Sequence, residues 1–246
     1  MFDATFFFIA AVFILAGFIK GVLGLGLPTI AMGLLALVMP PVEAAAILIL
    51  PSLVTNVWQM VAGPSLVGVV RRLWSMMLAV CLGTWAGIGF MTGPQARYGA
   101  MLLGACLAIY AALNLAVVRF AVARSWEPLL GPVSGALTGA ITAATGIFVI
   151  PAVPYLQAIG MEKEQLVEAL GLSFTVSTVA LAVNVGVAGG LNASMAGTTL
   201  AALATACLGM WAGQAIRLRL SAETFRRFFF AGLLLLGLYL AVRAVL

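Results

Sequence analysis

The sequence predicts an all-α polytopic membrane protein. It consists of two inverted repeats, each a broken or re-entrant helix pair followed by three transmembrane helices. Composition, interrupted apolar stretches and an internal repeat lead to this prediction. Of the 246 residues, 64% are apolar and 8% are charged, whereas soluble domains are about half apolar and a quarter charged. This excludes a soluble enzyme, a disordered chain and a nucleic-acid binder, and the lipid bilayer is the expected surrounding.

Six apolar runs are long enough for a transmembrane helix, which needs about 20 residues. They cover approximately residues 42–62, 73–92, 96–118, 164–188, 194–216 and 224–246. Two longer stretches, 4–39 and 128–160, are interrupted by glycine and proline near Gly24–Pro28 and Thr142–Gly146. Such interruptions are typical of broken or re-entrant helices. Residues 4–23 have no basic segment before them, which favours a first membrane segment over a cleaved signal peptide.

An internal repeat divides the chain into two membrane repeats, residues 1–123 and 124–246. Cys81-Leu82-Gly83-Thr84-Trp85-Ala86-Gly87 returns as Cys207-Leu208-Gly209-Met210-Trp211-Ala212-Gly213. The Gly-xxx-Gly pair at 17–21 likewise returns at 135–139, at a slightly shorter offset, as small differences in loop length would cause. We interpret both CLGxWAG segments as helix-packing motifs, in which Gly and Ala allow close approach and Trp fills space.

The loop charges predict that the two repeats are inverted. If each broken segment enters and returns to the same side, nine basic residues share one side and only Arg97 and Arg243 face the other. The positive-inside rule then places the nine in the cytoplasm and both termini outside. The nine are Arg71, Arg72, Arg119, Arg124, Lys163, Arg217, Arg219, Arg226 and Arg227.

The two breaks are the first candidates for a substrate site. Helix N-termini attract anions, and we expect half-helices to begin at Leu27–Ile30 and Thr145–Ile147. The alternative is that the glycines only permit close helix packing. Candidate ligands at the breaks are Gly24, Gly26, Thr29, Thr142, Thr145 and Gly146.

Lys20 and two polar stripes complete the candidate substrate site. A lysine at mid-bilayer costs roughly 2.5–3.5 kcal/mol, so it is either functional or snorkels to the interface. Ser52, Asn56 and Gln59 share one helix face. Ser173, Ser177 and Asn184 share one face of the equivalent helix in the second repeat. These stripes either line a pathway or join helices by hydrogen bonds.

Two carboxylates are candidates for ion coupling. Glu43 opens a helix, where an acid also suits the helix dipole, and Glu168 is the deeper acid of its segment. The coupling ion is a proton or sodium. Histidine is absent and the three cysteines lie in apolar runs, so no catalytic residue, metal site or cofactor is predicted, and an intramembrane enzyme is disfavoured.

The glycine-rich breaks resemble those of the TauE/SafE sulfite exporter family. The resemblance rests on Gly17 to Pro28, on Gly135 to Pro151 and on Glu43-Ala44-Ala45-Ala46. It implies export of a small sulfur-containing anion such as sulfite, sulfoacetate or another organosulfonate across a bacterial inner membrane. Alternating access between the two repeats would carry the anion. A passive anion channel and a non-transporting membrane subunit are the alternatives, and the oligomeric state stays open.

Overall fold

The computed structural model describes residues 4–87, 89–91, 96–116, 120–217, 219 and 221–245, and the regular structure in these ranges is entirely helical. Ten α-helices follow one another within these ranges. They are α1 (Ala4–Leu23), α2 (Leu27–Leu35), α3 (Pro41–Val61), α4 (Leu66–Ala86), α5 (Ala96–Leu115), α6 (Glu127–Thr145), α7 (Ala152–Ala158), α8 (Lys163–Val187), α9 (Ala196–Ile216) and α10 (Ala222–Val245). Short 3₁₀ turns precede α6 and α9.

Seven of the described helices are long and apolar enough to cross a membrane, namely α1, α3, α4, α5, α8, α9 and α10. The predicted class of multi-pass α-helical membrane protein is therefore confirmed. The predicted start of α4 at residue 73 is wrong, because the helix begins at Leu66. Arg71 and Arg72 consequently lie in the second turn of α4 rather than in a loop. Their aliphatic stems can lie along a helix while the guanidinium groups reach the polar end.

Both predicted interruptions are present, but they differ in form. The first lies between α1 and α2, where Gly24 and Gly26 have φ of 77° and 112°, angles that favour glycine. In the second, α6 continues through Thr145 and ends at Gly146, whose N–H donates to Thr142 O at 2.8 Å. The prediction that a half-helix begins at Thr145–Ile147 is therefore wrong, because α7 begins at Ala152.

Glycine contacts join α1 to α9 and α4 to α6. Gly17 lies against the backbone of Ala206, and Gly209 against the backbone of Ile14. In the other pair, Gly135 lies against Met76 O. Within lipid, small residues let helix backbones approach closely and gain dispersion contacts. These two interfaces are thus glycine-to-backbone contacts with no room for a side chain.

The CLGxWAG segments supply half of these contacts. Gly83 and Gly87 face α6, and Gly209 and Gly213 face α1, as the packing interpretation predicted. The predicted role of the tryptophans is wrong: Trp85 and Trp211 are each 71% exposed. Because glycine already brings the helices together, the indole rings project outward from the bundle.

Contacts along each helix pair fix the relative directions of the helices. Gly17 meets Ala206 and Gly21 meets Met210, so α1 and α9 run in the same direction. The contacts of Gly135 with Met76 and of Gly139 with Val80 make α4 and α6 parallel too.

Two other pairs run in opposite directions. Gln59 contacts Val167 while Ser52 contacts Thr178, so α3 and α8 are antiparallel. Helices α5 and α10 are antiparallel as well, because Gly104 meets Ala241 and Ala108 meets Gly237. Chain order matches helices α1–α5 of the first half with α6–α10 of the second half. In this matching, α3 and α5 contact their own counterparts, α8 and α10. The contact of α1 with α9 corresponds to the contact of α6 with α4.

These directions gather most of the basic residues at one end of the bundle, which we call the basic end. Helices α4, α6, α8 and α10 begin there, and α3, α5 and α9 end there. Eight described basic residues lie at this end: Arg71, Arg72, Arg124, Lys163, Arg217, Arg219, Arg226 and Arg227. Arg243 lies at the opposite end, where it donates to Leu37 O at 3.1 Å, and Arg97 stands in the first turn of α5 at that end. Arg119 and the Arg97 side chain are outside the described part of the chain.

The glycine contacts predict a sharp contrast between two glycine-to-alanine changes. Gly209→Ala should destabilise the protein by about 1–3 kcal/mol through overpacking, because the new Cβ would meet the backbone of Ile14 and Phe18. Gly232→Ala in α10 is the matched control, since a Cβ there meets nothing within 4 Å. Thermal unfolding in detergent would compare the two, and equal midpoints would contradict the packing described here.

Candidate functional site

Lys20 lies inside the bundle, near the end of α1. It is 4% exposed and sits between Gly17 and Gly21, whose contacts hold α1 against α9. Its Nζ donates to Thr55 Oγ1 at 3.1 Å and to Asn56 Oδ1, both on α3. Lys20 therefore points into the bundle and does not snorkel to the membrane interface.

The hydrogen bonds of Lys20 continue as a directed chain across three helices. Asn56 Nδ2 donates to Ser52 Oγ at 2.9 Å, and Ser52 Oγ lies 3.2 Å from Thr178 Oγ1 on α8. Because the Thr178 hydroxyl donates to Phe174 O at 2.6 Å, Ser52 is the donor to Thr178. We call Lys20, Ser52, Thr55, Asn56 and Thr178 the Lys20 network. Its members are fixed in orientation, since each acceptor that faces Lys20 also donates further on.

The charge of Lys20 has no acidic partner in the part of the chain that the structure describes. The two ion pairs found there are Arg72 with Glu127 and Arg227 with Glu223. Hydroxyl and amide oxygens supply dipoles to the ammonium group but no compensating charge. A buried, unpaired cation is costly, and its third N–H has no acceptor among the hydrogen bonds described. This arrangement suits an anion that completes the shell of Lys20.

The first break contributes backbone donors close to Lys20 in sequence. Gly24 N–H donates to Lys20 O at 2.7 Å, which links Lys20 to the break directly. Helix α2 then begins at Leu27 with no side-chain cap. Pro28 has no N–H and Ile30 N–H donates to Gly26 O at 3.0 Å, so the N–H groups of Leu27 and Thr29 keep their capacity to donate. Thr29 is buried, but its hydroxyl donates to Gly26 O at 2.8 Å. The break therefore offers main-chain rather than hydroxyl donors.

The second break is internally satisfied. The Thr142 hydroxyl donates to Thr138 O and that of Thr145 to Ile141 O, each at 2.7 Å. Thr145 Oγ1 also accepts from Ile147 N at 3.2 Å. Gly146 packs against the side chain of Met32 in the middle of α2. The second break therefore contacts the middle of α2 and not its first residues.

The two polar stripes are buried, and they differ in their partners. Gln59 donates across to Val167 O at 3.2 Å, and Asn184 donates to Thr84 O at 3.4 Å. The hydroxyls of Ser173 and Ser177 are fully buried and have no hydrogen-bond partner. Since buried hydroxyls are normally bonded, this face of α8 has unused capacity for a polar ligand or water.

The two coupling candidates have opposite environments. Glu43 is exposed in the first turn of α3, a position that the helix dipole alone explains. Glu168 is 0% exposed. Its Oε1 accepts from Ser65 N at 2.8 Å, at the start of α4, while Oε2 has no partner. The structure thus singles out Glu168 as the buried acid with a free oxygen.

Thr55 and Thr178 belong to the Lys20 network but escaped the sequence prediction. Thr55 lies three residues after Ser52 and follows the same helical face, so the spacing could have revealed it. Thr178 follows Ser177 on α8, and its approach to Ser52 depends on the crossing of α3 and α8. No pattern within one helix indicates that crossing.

The fold and the site define a class of protein, a polytopic α-helical membrane protein with a buried cationic polar site and a broken helix beside it. No group of potential metal ligands occurs in the described ranges. A family model described as Sulfite exporter TauE/SafE matches residues 9–240. The chain belongs to this family of membrane transporters, as the resemblance of the breaks predicted. No curated protein and no solved structure matches the chain.

Proposed function

We propose that the protein is a secondary transporter, working as an exporter, for a small sulfur-containing anion such as sulfite, sulfoacetate or another organosulfonate. The observation that carries this proposal is the buried ammonium group of Lys20, which has polar neighbours but no acidic partner. Family membership supports the same substrate class. The bacterial inner membrane is the location that this function implies.

In the proposed mechanism, the anion binds beside Lys20 and the first turn of α2. The third N–H of Lys20 and the uncapped N–H groups of α2 donate to its sulfonyl or sulfite oxygens. The Lys20 network holds the ammonium group in place, because Asn56 and Thr55 are themselves oriented by onward hydrogen bonds. Little reorganisation is then needed when the anion arrives.

For alternating access, we propose motion between units that the glycine contacts define. Two of the tight glycine interfaces join α1 to α9 and α6 to α4, and each joins one sequence half to the other. Rigid rocking of residues 1–123 against 124–246 would break both. Rocking of the α1–α9 unit against the α4–α6 unit preserves them and moves Lys20 relative to α8.

The role of Lys20 predicts opposite effects of one mutation on transport and on stability. Lys20→Met should abolish saturable sulfite flux in proteoliposomes, and it should not lower the unfolding temperature, because it removes an uncompensated buried charge. Lys163→Met is the matched control: Lys163 is the other lysine of the chain and is exposed. Saturable flux in the Lys20 variant with wild-type affinity would rule out this role.

We also propose the inverted topology, with the basic end in the cytoplasm and both termini outside. The helix directions and the concentration of arginine at one end support it. In a variant whose three cysteines are replaced by alanine, Ser221→Cys should react only from the cytoplasmic side. Ser194→Cys, at the other end of α9 and also exposed, should react only from outside. Labelling of both from one side would contradict this arrangement.

For coupling, we propose that Glu168 carries a proton. Its side chain is buried and one carboxylate oxygen has no partner, so protonation would need no rearrangement of an ion pair. Glu168→Gln should remove the dependence of net sulfite flux on a pH gradient and leave sulfite–sulfite exchange intact. Glu164→Gln, one turn earlier and exposed, should keep that dependence. If the dependence on the pH gradient persists in the Glu168 variant, another group carries the proton and this role of Glu168 is rejected.

A further inference from the structure

A cavity at the basic end is separate from the Lys20 network and carries an excess of positive charge. It has a volume of about 520 Å³, and its lining includes Ser65, Arg71, Arg72 and Arg124. Arg71 projects from α4, whereas Arg124 precedes α6. Segments distant in sequence therefore bring three guanidinium groups to one concave surface.

One arginine of the cavity is fixed and two are not engaged. Arg72 forms a two-pronged ion pair with Glu127, at 2.8 Å from Nε to Oε2 and 2.6 Å from Nη2 to Oε1. It also donates to Ile159 O at 2.9 Å, which ties α4 to the end of α7. In the described part of the chain, neither Arg71 nor Arg124 is within ion-pair distance of a carboxylate. The ion pair with Glu127 therefore neutralises Arg72, and the guanidinium groups of Arg71 and Arg124 stay outside the ion pairs of the described residues.

The cavity adjoins the seam between α3 and α8 that leads to Lys20. Ser65 lines the cavity, and its N–H is held by Glu168. Next along the seam comes Gln59, which donates to Val167 O, and Asn56 lies less than one turn further on α3. A column of polar groups therefore runs from the arginine cavity to the Lys20 network, with the Glu168 carboxyl between the two cationic sites.

We propose that this cavity is a second anion site, which binds an oxyanion at the basic end before or after it occupies the Lys20 site. The ligand is an oxyanion with a tetrahedral or pyramidal sulfur or phosphorus centre. Arginine binds the oxygens of such anions through paired N–H groups. Both a free sulfur oxyanion and the phosphate of a lipid headgroup have this chemistry. The proposal rests on the proposed transport function for its role, but its binding test does not.

Binding to the purified protein tests the cavity without any transport assay. In the Lys20→Met background, which lacks the buried ammonium group, sulfite should still bind saturably by calorimetry in lipid-free detergent. Adding Arg71→Gln and Arg124→Gln should weaken that binding about tenfold or more. Arg217→Gln with Arg219→Gln removes the same charge from exposed positions at the same end and should leave the affinity within about twofold.

A lipid arm distinguishes the source of the oxyanion. Native mass spectrometry after extraction from phosphatidylcholine vesicles with and without phosphatidylglycerol would count bound anionic lipid. Lipid binding that the Arg71 and Arg124 changes remove, without sulfite binding, would support the site and assign it to a headgroup. The site is overturned if neither ligand depends on these arginines, or if the Arg217 and Arg219 control weakens binding equally. Absence of sulfite flux in the wild type would instead reject the transport function alone.

Discussion

Close contact between glycine and a neighbouring backbone is the constraint on which the rest of this structure depends. Lipid gives helices no hydrophobic reason to associate, so contact area and small residues must supply the attraction. Gly17 and Gly209 in one pair, and Gly83 and Gly135 in the other, have no space for a Cβ. Because each pair joins the two halves of the chain, these contacts set the helix directions, the basic end and the place of Lys20.

The buried ammonium group is the second determinant, and it explains why polar residues cluster where they do. A lysine in an apolar interior needs acceptors, and Thr55 and Asn56 provide them without adding negative charge. An acidic partner would have stabilised the lysine and would also have competed with any anion for it. The Lys20 network thus adds no negative charge beside the ammonium group, and Lys20 is linked through its carbonyl to the break that precedes the uncapped start of α2.

The sequence predicted the membrane class, both interruptions and the polar faces of α3 and α8, because these depend on local composition and on periodicity within single helices. It placed Lys20, Ser52 and Asn56 in one site, and the structure brings these three together. It missed Thr178 and the arginine cavity, since both depend on contacts between distant segments. The predicted start of a half-helix at Thr145–Ile147 was wrong for a local reason. Thr142 and Gly146 complete the last turn of α6, and a run of Thr, Ala and Gly is compatible with either the end of one helix or the start of the next.

The pairing of α1 with α9 has a consequence for biosynthesis. Helix α1 is made long before α9, so its glycine face contacts Ala206 and Met210 only after most of the intervening chain has been made. Until then the membrane must hold a segment that carries a lysine and lacks its partner helix. Helix α3, with the acceptors for Lys20, is made early and can shelter that charge in the meantime. The α4–α6 pair closes sooner, because only α5 separates its members in the chain. The α1–α9 contact therefore forms late, and the α5–α10 contact follows it, because α10 is made after α9. A chain truncated before α9 would be left with an unpartnered glycine face on the segment that carries Lys20.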